Sequence, residues 1–306
     1  MFGVASGIID KSDLLALKTM GVSEVYCGFI DKKIAKTYPP SLNILNRRGE
    51  GANFTSITSL AKAAKKAHAL SMPVYVTFNG LYTPEQYPWL TKTINKVSAL
   101  TGISGIIVND IALLLMLKKQ KYKKRIVLSV GASVLNSHAV SFFKKFNVAR
   151  VILERQMSHA EMVSVIKKHP DMEFEVFAFA GSCFFIDGFC AFFHNYNNHT
   201  TQVNAKGCHR LKEMILHKNV SGADYFNDNY IRTCGLCALY KLKKFQKRIV
   251  LKVVNRQTGA DSPVKVLTQA LKFLKSSKTE TEYKKYCKAL FKTALGFNCE
   301  GKKCYF

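Results

Sequence analysis

Residues 57–79, ITSLAKAAKKAHALSMPVYVTFN, contain a helix pattern followed directly by a strand pattern. In the first part, apolar side chains recur at helical spacing, at Ile57, Leu60, Ala61 and Ala64. The run Val74–Asn79 that follows is apolar at successive positions, so both of its faces would be buried. Strands of that kind occur in parallel sheets covered by helices. The stretch therefore predicts one unit of an alternating α/β fold.

Seven other short apolar runs have the same character, and helical patterns lie between them. The eight predicted strands are Gly3–Gly7, Glu24–Phe29, Val74–Asn79, Gly105–Asn109, Ile126–Val130, Arg150–Leu153, Phe174–Ala180 and Ile249–Val253. Eight buried strands in β-α alternation are typical of a closed barrel. We therefore predict the α/β fold class, as a (β/α)8 TIM-like barrel.

About 70 residues separate the seventh predicted strand from the eighth, where a βα connection usually needs far fewer. We interpret residues 181–240 as a cysteine-rich insertion between strands 7 and 8. The predicted organisation is a barrel over residues 1–275, which includes this insertion, and a basic C-terminal helix and tail over residues 276–306.

Five of the nine cysteines lie in this insertion, as Cys183-x6-Cys190, Cys208 and Cys234-x2-Cys237. A surface loop cannot easily bury thiols for packing alone, so shared metal ligation is the better explanation. Four thiolates at irregular spacing suit a 4Fe-4S cluster or a structural zinc. Only one tight CxxC pair is present, and this favours iron-sulfur over zinc. Cys299 and Cys304 are interpreted either as a second small metal site or as exposed thiols near the terminus.

The formal net charge is +26, and residues 241–306 alone hold 17 basic and 4 acidic residues. Such an excess indicates a polyanionic partner, and RNA bound by the basic C-terminal region is one reading. A solvated lysine-rich surface is the other. Four lysines would share one face of a predicted helix: Lys284, Lys285, Lys288 and Lys292.

The N-terminal residues show no secretory signal pattern, so we expect a cytoplasmic protein. Residues 174–193 are long enough to imitate a membrane span, but Glu175 and Asp187 interrupt them. We read this stretch as a buried strand that runs into a loop, and we expect no membrane span.

Active sites of β/α barrels lie where the strands end, so the polar residues at those positions should converge at one mouth. They are Asn79, Asp110, Ser129, Arg155, Cys183, Lys252 and Arg256. Arg155 and Arg256 each close an apolar strand, where a guanidinium indicates an anionic ligand. The alternatives are an ion pair of Arg155 with Glu154 or Asp110, and a strand-end cap for Asn79. The candidate catalytic residues are Arg155, Asn79, Asp110 and Arg256.

The strand-end segments together resemble the collagenase-like peptidase family U32. The resemblance is carried by GVSEVYCGF (21–29), ANFT (52–55), PVYVTFN (73–79), IIVND (106–110), LSVGASVLN (128–136), ARVILERQMS (149–158), EVFAFAGSC (175–183) and VLKVVNR (250–256). It implies similarity to proteins of oxygen-independent hydroxylation, which act on tRNA, rRNA or the ubiquinone ring. It also implies a 4Fe-4S cluster, with prephenate as oxygen donor in some members. Carried over, the ligands are Cys183, Cys190, Cys208 and Cys237, with Cys234 as the alternate fourth.

The sequence departs from the pattern of that family at three positions. Phe179-Ala180 replaces His-Gly before the first cluster cysteine, Gly131 replaces a glutamine after the fifth strand, and Val254 replaces a glutamate. These losses count against peptidase chemistry, as does the absence of GxSxG and HExxH motifs. The leading hypothesis is an iron-sulfur hydroxylation protein for RNA or a small aromatic or quinone substrate. The rivals are a peptidase and a non-catalytic partner of a related barrel subunit.

Overall fold

The computed structural model describes residues 1–31, 46, 52–183, 186–189, 232–254, 261–296, 298–299 and 304. Its strands are β1 (Gly3–Gly7), β2 (Glu24–Phe29), β3 (Asn53–Phe54), β4 (Val74–Phe78), β5 (Ile103–Val108), β6 (Arg125–Leu128), β7 (Val148–Ile152), β8 (Glu173–Cys183), β9 (Arg232–Cys234) and β10 (Ile249–Val253). All eight predicted strands are present, each within a few residues of its expected position.

Eight parallel strands close into a ring. The hydrogen-bonded order is β1-β10-β8-β7-β6-β5-β4-β2, and β2 pairs with β1 to complete it. The short strand β3 pairs with β2 at the carboxyl end, and β9 runs antiparallel to β8. The predicted TIM-like barrel is therefore confirmed. Of the proposed insertion, residues 184–185 and 190–231 lie outside the described part of the chain.

Helices alternate with the strands around this ring. They are α1 (Leu14–Thr19), α2 (Ile57–Ala69), α3 (Tyr87–Ser98), α4 (Ile111–Lys119), α5 (Ser137–Lys144), α6 (His159–Lys168), α7 (Leu239–Leu242), α8 (Asp261–Ser276) and α9 (Glu280–Leu295). The last of them packs on α8 and buries Tyr283, Cys287 and Phe291 in the main core. None of the helices in the described ranges is long and apolar enough to cross a membrane.

Polar residues at the helix starts explain why these segments begin where they do. A side-chain oxygen accepts a backbone N–H of the first turn at Ser56, Asp110, Asn136, Ser158 and Thr279. At Ser158 the arrangement is a full capping box, because Glu161 also accepts the Ser158 N–H. Apolar faces of the same helices then pack on the outside of the barrel, around side chains such as Leu60 and Leu114.

The barrel interior is separate from that outer core and contains an aromatic and aliphatic layer. Its buried members are Ala5, Tyr26, Tyr75, Ile107, Val127, Val130, Ile152, Phe177 and Val250. They come from all eight strands of the ring and from the turn after β6, as expected when alternate residues of each strand point inward. The layer fills the middle of the barrel, so the barrel is a packed core and not a pore.

Toward the amino ends of the strands, the interior holds a buried network of charges. Arg150 of β7 binds both carboxylate oxygens of Glu24 on β2 across the barrel and reaches Glu175 of β8 at 3.2 Å. The Lys252 amine donates to the same Glu175 carboxylate at 2.5 Å. Burial opposes the ionisation of Glu175, but Lys252 and Arg150 together lower the pKa of this carboxyl below its ordinary value. Two positive and two negative side chains thus balance inside the barrel.

This network corrects one expectation from the sequence. Lys252 was expected to face the mouth, but its amine lies inside the barrel, against Glu175 and 3.8 Å from the centre of the Tyr26 ring. The physical reason is that a buried ammonium is stabilised by the Glu175 carboxylate and the aromatic face.

We predict that Arg150→Met lowers the free energy of unfolding by about 3–5 kcal/mol, because it leaves the Glu24 carboxylate buried without its partner. The matched control is Lys144→Gln, which breaks an exposed pair with Asp171 and should cost no more than about 1 kcal/mol. Urea unfolding of the two variants and the parent measures both values. A loss below about 1 kcal/mol for Arg150→Met would show that the network does not hold the barrel together.

Candidate functional site

The mouth of the barrel is lined by short polar side chains that follow the strand ends. The Asn79 amide, after β4, donates to the Ser129 hydroxyl, after β6, at 3.3 Å. With its side-chain amide assigned the orientation that satisfies its surroundings, Asn109, after β5, donates to the carbonyls of Asn79 and Gly80 at 3.1 Å each. The ends of β4, β5 and β6 are therefore tied together at the mouth. The sequence predicted Asn79 and Ser129 here and did not single out Asn109.

A second pair of amides extends this group toward β2. Asn46 is buried, and its amide donates to the carbonyl of Phe29 at 3.0 Å and to the Asn53 side chain at 3.2 Å. Its own oxygen accepts the Asn79 N–H at 3.4 Å. No sequence signal pointed to Asn46, because its position depends on how the chain returns between β2 and β3.

Arg155 is the strongest feature of the mouth, and it is only 5% exposed. Its guanidinium lies over the Phe177 ring at 4.2 Å and binds the Asp187 carboxylate at 2.5 Å. The structure thus holds Arg155 in an ion pair, but the partner is neither Glu154 nor Asp110. Asp187 belongs to the short turn Asp187–Phe189, four residues beyond the end of β8. The sequence offered one signal for it, since it is a lone carboxylate within an apolar stretch.

Glu154 lies beside this pair and is completely buried. Its carboxylate accepts the backbone N–H of Asp187 at 2.6 Å and that of Arg155 at 3.2 Å. Burial, followed by the nearby Asp187 charge, raises the pKa of Glu154 to about 7. A carboxyl of this kind can hold or release a proton near neutral pH.

Two glycines allow the turn that carries Asp187 to sit so close to the mouth. A Cβ on Gly188 would lie 2.1 Å from the Ser133 hydroxyl and 2.5 Å from the Gly131 carbonyl oxygen. A Cβ on Gly131 would in turn lie 2.9 Å from the Asn109 amide. Gly131 stands where the resembling family has a glutamine, and here that space is filled by the Asn109 side chain.

Asp110 has a structural task at its place in the mouth. Its carboxylate caps α4 by accepting the Leu113 N–H at 2.7 Å, and it accepts the Tyr87 hydroxyl at 2.9 Å. Burial and this hydrogen bond to Asp110 raise the pKa of Tyr87 to about 12. A catalytic role for Asp110 stays a prediction, as it does for Asn79. Arg256 lies outside the described residues.

The predicted cluster ligands are described only in part. Cys183 ends β8, where its backbone pairs with Arg232 of β9, and Cys234 follows two positions later on the same strand. Cys237 lies in the next helical turn. Cys190 and Cys208 lie outside the described residues. The antiparallel return of β9 along β8 fits a shared site, because it brings Cys183 and Cys234 onto neighbouring strands.

A group of thiols from distant parts of the sequence surrounds Cys234 and Cys237. The neighbouring Cys287 of α9 lowers the pKa of the Cys237 thiol to about 7, and Cys304 forms a β-bridge with Cys234. Cys299 and Cys304 are partly buried, so they are not the exposed thiols of one interpretation. Among the residues that the structure describes, no three His, Cys, Asp or Glu side chains are arranged to hold a metal ion.

Several curated proteins are similar to part of the chain. The tRNA hydroxylation protein P of Helicobacter pylori (strain 26695) is 31% identical over 144 residues, which is 47% of this chain and 34% of that protein. The protein of the same name from Escherichia coli (strain K12) is 28% identical over 132 residues, 43% of this chain and 29% of the relative. The matched part thus spans about a third of the length of these relatives.

Among solved structures, a U32 peptidase matches with a TM-score of 0.48 at 11% identity, over 83% of this chain and 93% of the other. The sequence model of peptidase family U32 matches residues 10–292. This range takes in every strand of the barrel except β1 (Gly3–Gly7), together with the strand end that bears Arg155. The chain is therefore a member of peptidase family U32.

Proposed function

We propose that this chain is a hydroxylation-type protein that acts on a tRNA base without molecular oxygen and works in the cytoplasm. The observation that carries the proposal is the buried Arg155–Asp187 pair at the barrel mouth, within four residues of the cysteine that ends β8. Similarity to tRNA hydroxylation proteins over about half of the chain supports the choice of substrate.

Arg155 would hold an anionic group of the substrate or oxygen donor, such as a phosphate or a carboxylate. Its guanidinium is buried and stacked on Phe177, so little freedom is lost when an anion binds. In the structure the Asp187 carboxylate stands where such an anion would bind. An incoming phosphate would displace Asp187, which lies on a short turn, and take over its hydrogen bonds with Arg155.

The neighbouring groups would position the target base and manage protons. Glu154, with its pKa near 7, can release a proton when the Asp187 charge is displaced and can take one up when an anion arrives beside it. The amides of Asn79 and Asn109 supply donors and acceptors at the height where a flipped-out base would enter the mouth. Each residue acts from its own strand end, which keeps the arrangement rigid.

We further propose that Cys183, Cys190, Cys208 and Cys237 hold a 4Fe-4S cluster, with Cys234 as the alternate fourth ligand. When bound, such a cluster supplies one-electron chemistry, which an oxygen-independent hydroxylation needs. Four thiolates suit the cluster, and the pairing of β9 with β8 brings the segment that bears Cys234 back beside the strand that ends at Cys183. Prephenate remains our candidate for the oxygen donor, since its carboxylates suit the Arg155 site.

The cysteine set predicts the metal content of single variants. Anaerobically purified parent protein should contain iron and acid-labile sulfide, and alanine at Cys183, Cys190, Cys208 or Cys237 should abolish both, because an open iron site loses its metal. The matched control is Cys27→Ala, which removes a thiol buried between the barrel and its helices. Iron retained by Cys237→Ala but lost by Cys234→Ala would show that Cys234 is the fourth ligand. Stoichiometric zinc in the parent would contradict the cluster.

The anion site predicts opposite effects for its two charged residues. Asp187→Asn should bind inorganic phosphate about tenfold more tightly than the parent, since the competing carboxylate charge is gone, whereas Arg155→Gln should bind it about tenfold or more weakly. Isothermal titration calorimetry at neutral pH measures both affinities. Arg125→Gln, which removes an exposed ion pair with Glu173, serves as control and should match the parent. Equal phosphate affinity in all four proteins would leave Arg155 with a structural role only.

A further inference from the structure

The amino-terminal face of the barrel, opposite the mouth, carries a continuous set of exposed lysines. Strands β6, β7, β8 and β10 are neighbours in the ring, so the segments that precede them lie side by side on this face. Those segments are residues 118–125, 144–147, 167–172 and 243–248. We call this surface the lysine arc. It is distinct from α9, whose lysines the sequence analysis singled out.

Nine lysines of the lysine arc are exposed: Lys118, Lys119, Lys121, Lys123, Lys145, Lys167, Lys168, Lys244 and Lys247. The ion pairs of the described residues include none of them. Two carboxylates lie nearby, and each already binds another cation, since Glu173 pairs with Arg125 and Asp171 pairs with Lys144. The arc therefore presents positive charge that nothing on this part of the surface balances.

Other basic residues of the same segments hold the surface in place. The Arg248 guanidinium donates to the carbonyls of Ile166 and His169, at 3.2 and 2.8 Å, and so closes the end of α6. Lys243 donates to the carbonyl of Leu274 at 3.1 Å. Lys121 adopts a left-handed φ of 52°, a conformation that favours glycine. The exposed lysines thus lie on helix ends and turns next to segments that these hydrogen bonds hold in place.

From this surface we infer a second contact with the substrate, namely that the lysine arc binds the phosphate backbone of the same RNA whose base enters the mouth. The inference rests on the proposed function for the identity of the partner. Charge complementarity supports it, because a phosphate backbone needs cations and little else. None of the exposed large apolar side chains of the described residues lies in the four segments, whereas protein hot spots and membrane-bound surfaces need apolar anchors.

The distance between the two faces fits a folded RNA better than a short one. A barrel with strands of about five residues and its loops is roughly 30 Å deep, so one strand of nucleotides at the mouth would not reach the arc. A folded RNA that extends around the side of the barrel would reach the arc. Binding to the arc would then add affinity without base specificity, because phosphate contacts position an RNA and do not read it.

The test measures binding of bulk tRNA to the full-length protein across a sodium chloride series. The arc variant changes Lys119, Lys123, Lys145 and Lys168 to Gln. The matched control changes the same number of lysines on α9, namely Lys284, Lys285, Lys288 and Lys292. We expect the slope of log affinity against log salt to become shallower by about 3 in the arc variant, since each lost phosphate contact removes about 0.7–0.9. Arginine at the same four positions should restore the slope of the parent.

The possible outcomes separate the inference from the function on which it rests. An arc variant with the slope of the parent would overturn the inference, and a shallower slope for the α9 variant alone would assign the RNA contact to that helix. Absence of tRNA binding by the parent at low salt would overturn the proposed function itself, namely that the protein acts on tRNA. Binding of the arc to vesicles of anionic lipid in preference to tRNA would overturn the inference that the arc binds RNA.

Discussion

The ion pair between Arg150 and Glu24 is the interaction on which the rest of the structure depends. It joins β7 to β2, two strands on opposite sides of the ring, and it does so inside the barrel at the level of the amino ends. Glu175 and Lys252 complete the charge balance. Above them lies the aromatic layer, with Phe177 at its upper side, and Arg155 stacks on that ring. The buried charges thus close the amino end of the barrel, and the polar side chains of the candidate site lie at the mouth, at the opposite end.

The sequence predicted the barrel because its strands are apolar at successive positions and the helices between them are amphipathic. These are local patterns that a short window contains. The contacts inside the barrel are not local, since 126 residues separate Arg150 from Glu24 and 77 separate Lys252 from Glu175. No window contains both partners, so Lys252 was assigned to the mouth. Such pairs follow from the register of the closed sheet and not from composition.

The site shows the same division between local and distant information. Arg155 and Asn79 were identifiable because a polar residue at the end of an apolar strand is a local feature. Asn46 was not, because its partners Asn53 and Asn79 lie elsewhere in the sequence. Asp187 offered only a lone carboxylate in an apolar stretch, and it reaches the mouth through a turn that is set by close backbone contacts. Gly188 illustrates the point, since a Cβ there would collide with Ser133. The predicted ligands Cys190 and Cys208, together with Arg256, lie beyond the described residues, and their roles stay predictions.

The function that we propose for this member of peptidase family U32 relies on a fixed arginine, a displaceable carboxylate and a cysteine-bearing return strand at one barrel mouth. The most direct test is mass spectrometry of the nucleosides in bulk tRNA from cells with and without the gene. The account predicts that a hydroxylated nucleoside disappears when the gene is removed and returns when the parent gene is restored. An unchanged set of tRNA nucleosides, with a hydroxylated quinone lost in its place, would contradict it.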